Sequence, residues 1–98
     1  MILNSSDNPT GALYSHAEIA KLCQVLLRHL HVLATADDIY EHLVYAGRFA
    51  TPAAVEPRLA DRVLTVNGVS KSHSMTGWRL GFAGGPARFV AAMQTLQS

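Results

Sequence analysis

Several polar side chains in this chain have types and positions that could do chemistry. Lys71 lies in the polar run Ser70-Lys71-Ser72-His73-Ser74 and is one of two lysines. An amine so placed can act as a nucleophile or carry a proton. Asp37 and Asp38 follow a short apolar run and could supply a catalytic carboxylate. Tyr40 comes three residues after Asp37, and Arg79 eight residues after Lys71. Asn8 opens the turn Asn8-Pro9-Thr10-Gly11. Taken singly, each has an ordinary explanation. A lysine among serines is usually a solvated charge, an aspartate after a strand usually caps or turns the chain, and a tyrosine is usually half-buried with a wet hydroxyl. Arg79 is harder to set aside: the pattern puts it in an apolar strand, where a buried guanidinium needs a partner.

The elements that must position these residues follow from periodicity. Residues 1–4 read as a short strand, followed by a polar loop to Ser15. Ser15-His16-Ala17-Glu18 has the spacing of a capping box. Apolar Ile19, Leu22, Cys23, Leu26, Leu27 and Leu30 then recur at one-face helical spacing, which predicts a helix over 16–30. A buried strand is expected at 32–36, a turn or short helix at 39–45, and a loop over 46–62 interrupted by Pro52 and Pro57. Val63-Leu64-Thr65-Val66 is the clearest strand; a polar loop over 67–77, a strand at 78–83 and a turn at Gly84-Gly85 follow. Pro86 starts a last helix whose apolar face is Phe89, Val90, Met93 and Leu96. Strands alternating with helices predict an α/β fold with a mainly parallel sheet and flanking helices. Functional residues should then gather in the loops at the strand ends, 5–14, 37–40 and 67–79.

Composition narrows the classes. A chain of 98 residues is one domain or less, and a formal charge of +1 gives no electrostatic reason to expect nucleic acid or an anionic membrane as partner. Hydrophobic residues at 49% argue for a packed core and against disorder. Every apolar run is broken well short of a membrane span, and Met1-Ile2-Leu3-Asn4 has no basic region of a secretory signal. The single cysteine, Cys23, excludes an internal disulfide and suits a reducing, cytoplasmic setting. Cys23, His29 and His31 lack the convergent spacing of a zinc site, so no metal is expected. His42 and His73 are expected to be exposed or structural.

The motifs are more specific together than singly. Asn8-Pro9-Thr10-Gly11, then Asp37-Asp38-Ile39-Tyr40-Glu41-His42-Leu43-Val44-Tyr45, then Val66-Asn67-Gly68-Val69-Ser70-Lys71 with Met75-Thr76-Gly77-Trp78-Arg79-Leu80-Gly81, stand in that order, each beside a strand. The pattern resembles the pyridoxal-phosphate-dependent aminotransferases of fold type I, class I/II, and among them the aspartate aminotransferase branch. The resemblance spans nearly the whole chain. It implies that Lys71 binds the aldehyde of pyridoxal 5'-phosphate as a Schiff base and later moves the substrate's α-proton, and that Asp37 pairs with the ring nitrogen. Tyr40 and Asn8 would hold the ring oxygen, and Arg79 and Ser70 the phosphate. Asp38 is read as structural. Gly68 stands where some relatives carry a serine that touches the phosphate, and Ser6 where many carry proline.

The resemblance also implies that residues 1–98 are part of the large, cofactor-binding domain. The N-terminal part and the small C-terminal domain would lie outside the chain. So would the phosphate-gripping glycine loop, the aromatic that stacks on the ring and the arginine that captures the substrate carboxylate. The expected activity is amino transfer between an amino acid, aspartate in this branch, and a 2-oxo acid, with prephenate a further acceptor, in a homodimer. The alternatives are a truncated, inactive chain that at most binds the cofactor weakly, or another fold type I enzyme such as a lyase. The chain alone is expected to be marginally stable or aggregation-prone, because strand edges and apolar faces would be uncovered.

Overall fold

The computed structural model describes residues 1–8 and 10–98. Four strands form one sheet in the order β1 (Ile2–Asn4), β2 (Ala34–Asp37), β3 (Val63–Gly68), β4 (Gly81–Gly84). The first three are parallel and β4 runs antiparallel to β3. The expected mainly parallel α/β sheet is present. Its register aligns Asn4 with Asp37 and Asp37 with Val66, so three parallel strands end side by side.

Helix α1 (His16–Arg28) connects β1 to β2. Its start is the expected capping box: Ser15 Oγ accepts from Glu18 N at 3.1 Å, and Glu18 Oε2 accepts from Ser15 N at 2.7 Å. Those bonds hold the exposed Glu18 carboxyl below its ordinary pKa. Ile19, Cys23 and Leu26 lie on one stripe and are buried with Ala34 and Ala36 of β2, Val63 of β3, Ala50 and Leu59. This core sits between α1 and one face of the sheet. Strand alternation sends Ile2, Thr35 and Leu64 to the other face, where they line a shallow recess with Phe89 and Met93 of α3 (Ala87–Gln97). No residue of α3 is buried, and Leu96 is 89% exposed.

Some elements differ from the expectation. Helix α1 stops at Arg28, and β2 starts at Ala34, because Val32 N donates to His29 O in a turn before the sheet is joined. The stretch 46–62 is not plain loop: it holds a short helix α2 (Pro52–Val55) and a 3-10 turn (Pro57–Leu59), each opened by a proline. Proline lacks only an amide that the first helical turn leaves unpaired anyway, so it starts these turns instead of preventing them. Strand β3 extends to Gly68, and β4 begins at Gly81 because a 3-10 turn (Thr76–Trp78) takes up the preceding residues. Gly84 therefore belongs to the strand.

Arg62, buried at the entry to β3, explains how α1 ends. Its Nη1 donates to His29 O at 2.8 Å and Val32 O at 3.0 Å, and its Nη2 to Leu26 O at 2.6 Å. Two of these carbonyls also accept a backbone amide, Leu26 O from His29 N at 3.2 Å and His29 O from Val32 N at 3.1 Å, so the guanidinium adds a second donor to each. The guanidinium thus satisfies the helix end and its exit, fixing α1 to the sheet.

Candidate functional site

Three loops leave the same end of the three parallel strands. The first, 5–15, folds back on itself. Ser5 is buried and its Oγ accepts from Tyr14 N at 3.1 Å. Gly11 N donates to Asp7 O at 2.7 Å, Asp7 N to Ala12 O at 2.9 Å, and Thr10 Oγ1 to Asp7 Oδ2 at 2.7 Å. Gly11 takes φ +72°, a left-handed conformation that suits glycine. The turn exposes Asn8, whose Nδ2 donates to Tyr40 Oη at 3.3 Å. Pro9 of the same motif lies outside the described residues.

The second loop begins at the end of β2. Asp37 is half-buried and its Oδ1 accepts from Ile39 N at 3.3 Å. Asp38 is buried, and its backbone N donates to Val66 O at 2.8 Å. Burial pushes the Asp38 carboxyl up to about 6, opposed by the nearby Thr51 hydroxyl and assisted by the negative charges of Glu41 and Asp37. Thr51 Oγ1 is itself buried and closes no hydrogen bond of good geometry, so its pull is the weaker effect. Adjacent aspartates thus differ: one is accessible at the strand end, the other desolvated.

The third loop leaves β3 at Gly68 and returns at Gly81, the two being register partners. Val69 N donates to Leu80 O at 3.3 Å and closes its base. A side chain at Gly68 would meet Leu80 O at 3.0 Å and Ile39 Cδ1 at 2.9 Å. The close approach of the returning chain therefore accounts for glycine here. Within the loop Ser70 is half-buried and Lys71 is exposed. Arg79 is also exposed and adopts φ 53° at the end of the 3-10 turn, with Nη1 donating to Thr76 O at 3.5 Å. This corrects the reading of Arg79 as a buried residue of a strand. The turn turns the chain out of the sheet before β4, so the guanidinium needs no internal partner.

The structure joins Asn8 to Tyr40 directly and puts Ser70, Lys71 and Arg79 on one closed loop beside the strand that bears Asp37. Sequence reasoning missed two residues of this end of the sheet. Asn67 Nδ2 donates to Glu41 Oε1 at 2.8 Å, and Asn67 Oδ1 accepts from Gly68 N at 2.7 Å. The signal was faint: a polar residue just past an apolar strand reads as loop, whereas Asn67 is in β3 and buried. His42 and His73 are exposed, yet their rings meet edge to face with centroids 6.3 Å apart. Among the described residues no group of three or more His, Cys, Asp or Glu side chains could hold a metal ion. Nor is any helix among them long and apolar enough to cross a membrane.

The chain is similar to known proteins along its whole length. The family model described as "Aminotransferase class I and II" matches residues 1–98. The aspartate aminotransferase of Rhizobium meliloti (strain 1021) is 58% identical over 99 residues, covering 100% of this chain and 24% of that protein. An aspartate/prephenate aminotransferase of Cereibacter sphaeroides is 57% identical over 98 residues, again with 24% of its length covered. The crystal structure of the Rhizobium meliloti aspartate aminotransferase superposes with a TM-score of 0.95 over 98% of this chain and 24% of that one. The chain thus spans about a quarter of the length of the relatives it matches. On motif, fold and similarity along its full extent, the chain belongs to the class I and II aminotransferases.

Proposed function

We propose that this chain is the lysine-bearing part of the large domain of a pyridoxal-phosphate-dependent aminotransferase that moves an amino group between aspartate and a 2-oxo acid. The observation that carries this reading is the shared exit of three loops from adjacent parallel strands, with the Asn8–Tyr40 hydrogen bond tying two of them together. The relatives named as aspartate and aspartate/prephenate aminotransferases support the donor and leave prephenate as a further acceptor. A cytoplasmic homodimer is part of the same proposal.

The residues present suit the cofactor's chemistry. Its aldehyde needs an amine, its ring nitrogen a carboxylate, its ring oxygen hydrogen-bonding groups and its phosphate a cation with hydroxyls. Lys71, Asp37, the Tyr40–Asn8 pair, and Arg79 with Ser70 supply these in turn. When bound, pyridoxal phosphate supplies an electron sink for the bonds at the substrate α-carbon. Asp37 favours positive charge on the ring nitrogen, and of the two adjacent aspartates it is the accessible one. Tyr40 Oη and Asn8 Nδ2, which are in contact, would hold the ring oxygen. Arg79 offers a planar fork to the phosphate. Lys71 Nζ is the amine for the aldehyde and the group that takes and returns the α-carbon proton. Lys71 is exposed in this chain, so the groups that would cover the amine must come from the cofactor and the surrounding protein.

The test is amino transfer from aspartate to a 2-oxo acid by the protein that carries this chain, with and without Lys71→Ala. Transfer that falls to background in the variant, with an unchanged far-ultraviolet circular dichroism spectrum, is the expected result. Turnover surviving the substitution contradicts the role of Lys71.

A further inference from the structure

Beyond the groups that would touch the cofactor, we propose that Glu41 is a positioning residue which, through Asn67, fixes the lysine loop against the loop that carries Asp37 and Tyr40. The inference rests on the function proposed above and adds to it a residue with no contact to cofactor or substrate.

The connection can be followed atom by atom. Glu41 follows Tyr40 directly, and its position is set by Glu41 N donating to Asp38 O at 2.9 Å. Its Oε1 accepts from Asn67 Nδ2 at 2.8 Å, 26 residues away in sequence. The other end of the Asn67 amide accepts from Gly68 N at 2.7 Å, at the point where β3 ends and the lysine loop begins. Gly68 O in turn accepts from Ser72 Oγ at 3.4 Å, so a further bond from the same residue reaches the neighbour of Lys71. Asn67 is 7% exposed, and an amide so desolvated needs partners on both its donor and its acceptor side. Glu41 supplies the first and Gly68 N the second.

The histidines close the circuit from the other side. His42 Nε2 stands 3.1 Å from Glu41 Oε1, the His42 ring meets the His73 ring edge to face, and His73 Nδ1 lies 2.7 Å from Ser72 Oγ. On the side of the Asp37–Tyr40 loop, Glu41 thus engages both connections, as Ser72 does on the side of the lysine loop. Small displacements of a reacting amine are costly: about 1 Å can cost on the order of 100-fold in rate. A bond that sets the spacing of two loops should consequently act on turnover and on the bound cofactor's orientation more than on substrate affinity.

The experiment uses the cofactor-loaded protein that carries this chain and reads kcat, KM for the amino donor and the visible circular dichroism of the bound cofactor. Glu41→Ala should lower kcat about tenfold, leave KM within about twofold and diminish the visible band. Glu41→Gln keeps an oxygen that accepts from Asn67 Nδ2 and should restore both kcat and the band. Asn67→Ala should repeat the Glu41→Ala effect, and the double variant should be no worse than the worse single one, since both remove the same bond. If Glu41→Ala does not fold, Asn67→Ala and Glu41→Gln carry the comparison. Unchanged kcat and visible band in Glu41→Ala, or Glu41→Gln failing as badly as Glu41→Ala, would overturn the proposal. Absence of any visible cofactor band in the unsubstituted protein overturns instead the functional reading beneath it.

Discussion

At the residue scale the two neighbouring aspartates are the sharpest contrast. Asp38 is buried and its carboxyl is raised to about 6, whereas Asp37 lies half-buried at the open strand end. The raised value makes Asp38 a stability cost that depends on pH. Below the ordinary carboxylate range, near 3.8, both folded and unfolded states hold the proton and nothing is lost. Between there and about 6 the unfolded state releases its proton first, so stability falls as pH rises, and above about 6 the loss is complete. Asp38→Asn should therefore stabilise the protein at neutral pH by about 1–3 kcal/mol, with the gain vanishing below pH ~4. Thermal melts of both forms across that range check this; a gain that persists at low pH would contradict it. Arg79 is exposed, so Arg79→Ala should weaken cofactor binding by about 1.5–3 kcal/mol, the range for hydrogen bonds to a charged group. Titration of the cofactor into both forms measures it. Lys71, Asp37, Tyr40 and Arg79 could be singled out in the sequence because their types and spacing are unusual together. Glu41 and Asn67 could not, since each matters only through a partner 26 residues away.

At the element scale the legible parts were those with local signals. The capping box and the stripe Ile19, Cys23, Leu26 announce α1, and the β-branched run at the start of β3 announces the central strand. The end of α1 was not legible, because it is set by Arg62, 34 residues beyond Arg28 in the chain and bonded to three carbonyls. Arg62→Met should cost about 1–3 kcal/mol, since it removes three hydrogen bonds from a charged donor in a buried place while Leu26 O and His29 O keep a backbone amide. Chemical denaturation checks this, and a loss under about 0.5 kcal/mol would show that water replaces the guanidinium. Gly68 is similar: nothing local says that Leu80 O approaches it, yet a side chain there meets that oxygen at 3.0 Å. Gly68→Ser should therefore destabilise the base of the lysine loop by about 1–3 kcal/mol, whatever the added hydroxyl could offer a phosphate. Its measured effect on stability separates that cost from any gain in cofactor affinity.

For the whole molecule, one face of the sheet has a core and the other is thinly covered. The radius of gyration is 14.0 Å, above the ~13 Å of a compact domain of this length. Ile2, Trp78, Phe82 and Leu96 are each more than half exposed. Such surfaces are normally covered by other protein. The 98-residue chain alone should self-associate at micromolar concentration; a monomer by sedimentation with a sharp, reversible melt would contradict this. The α/β class and the parallel centre of the sheet were legible because they follow from the alternation of strands and helices. The antiparallel return of β4 was not, because it depends on the turn made by Thr76–Trp78 and on the pairing of Gly68 with Gly81. The proposed chemistry turns on one amine, that of Lys71. Borohydride reduction after addition of pyridoxal phosphate, followed by peptide mapping of the protein that carries this chain, tests it most directly. With Lys21 and Lys71 both exposed, a built site predicts that the label falls on Lys71 within this chain. Equal labelling of Lys21 and Lys71 would mean two ordinary surface amines, and would contradict the assignment.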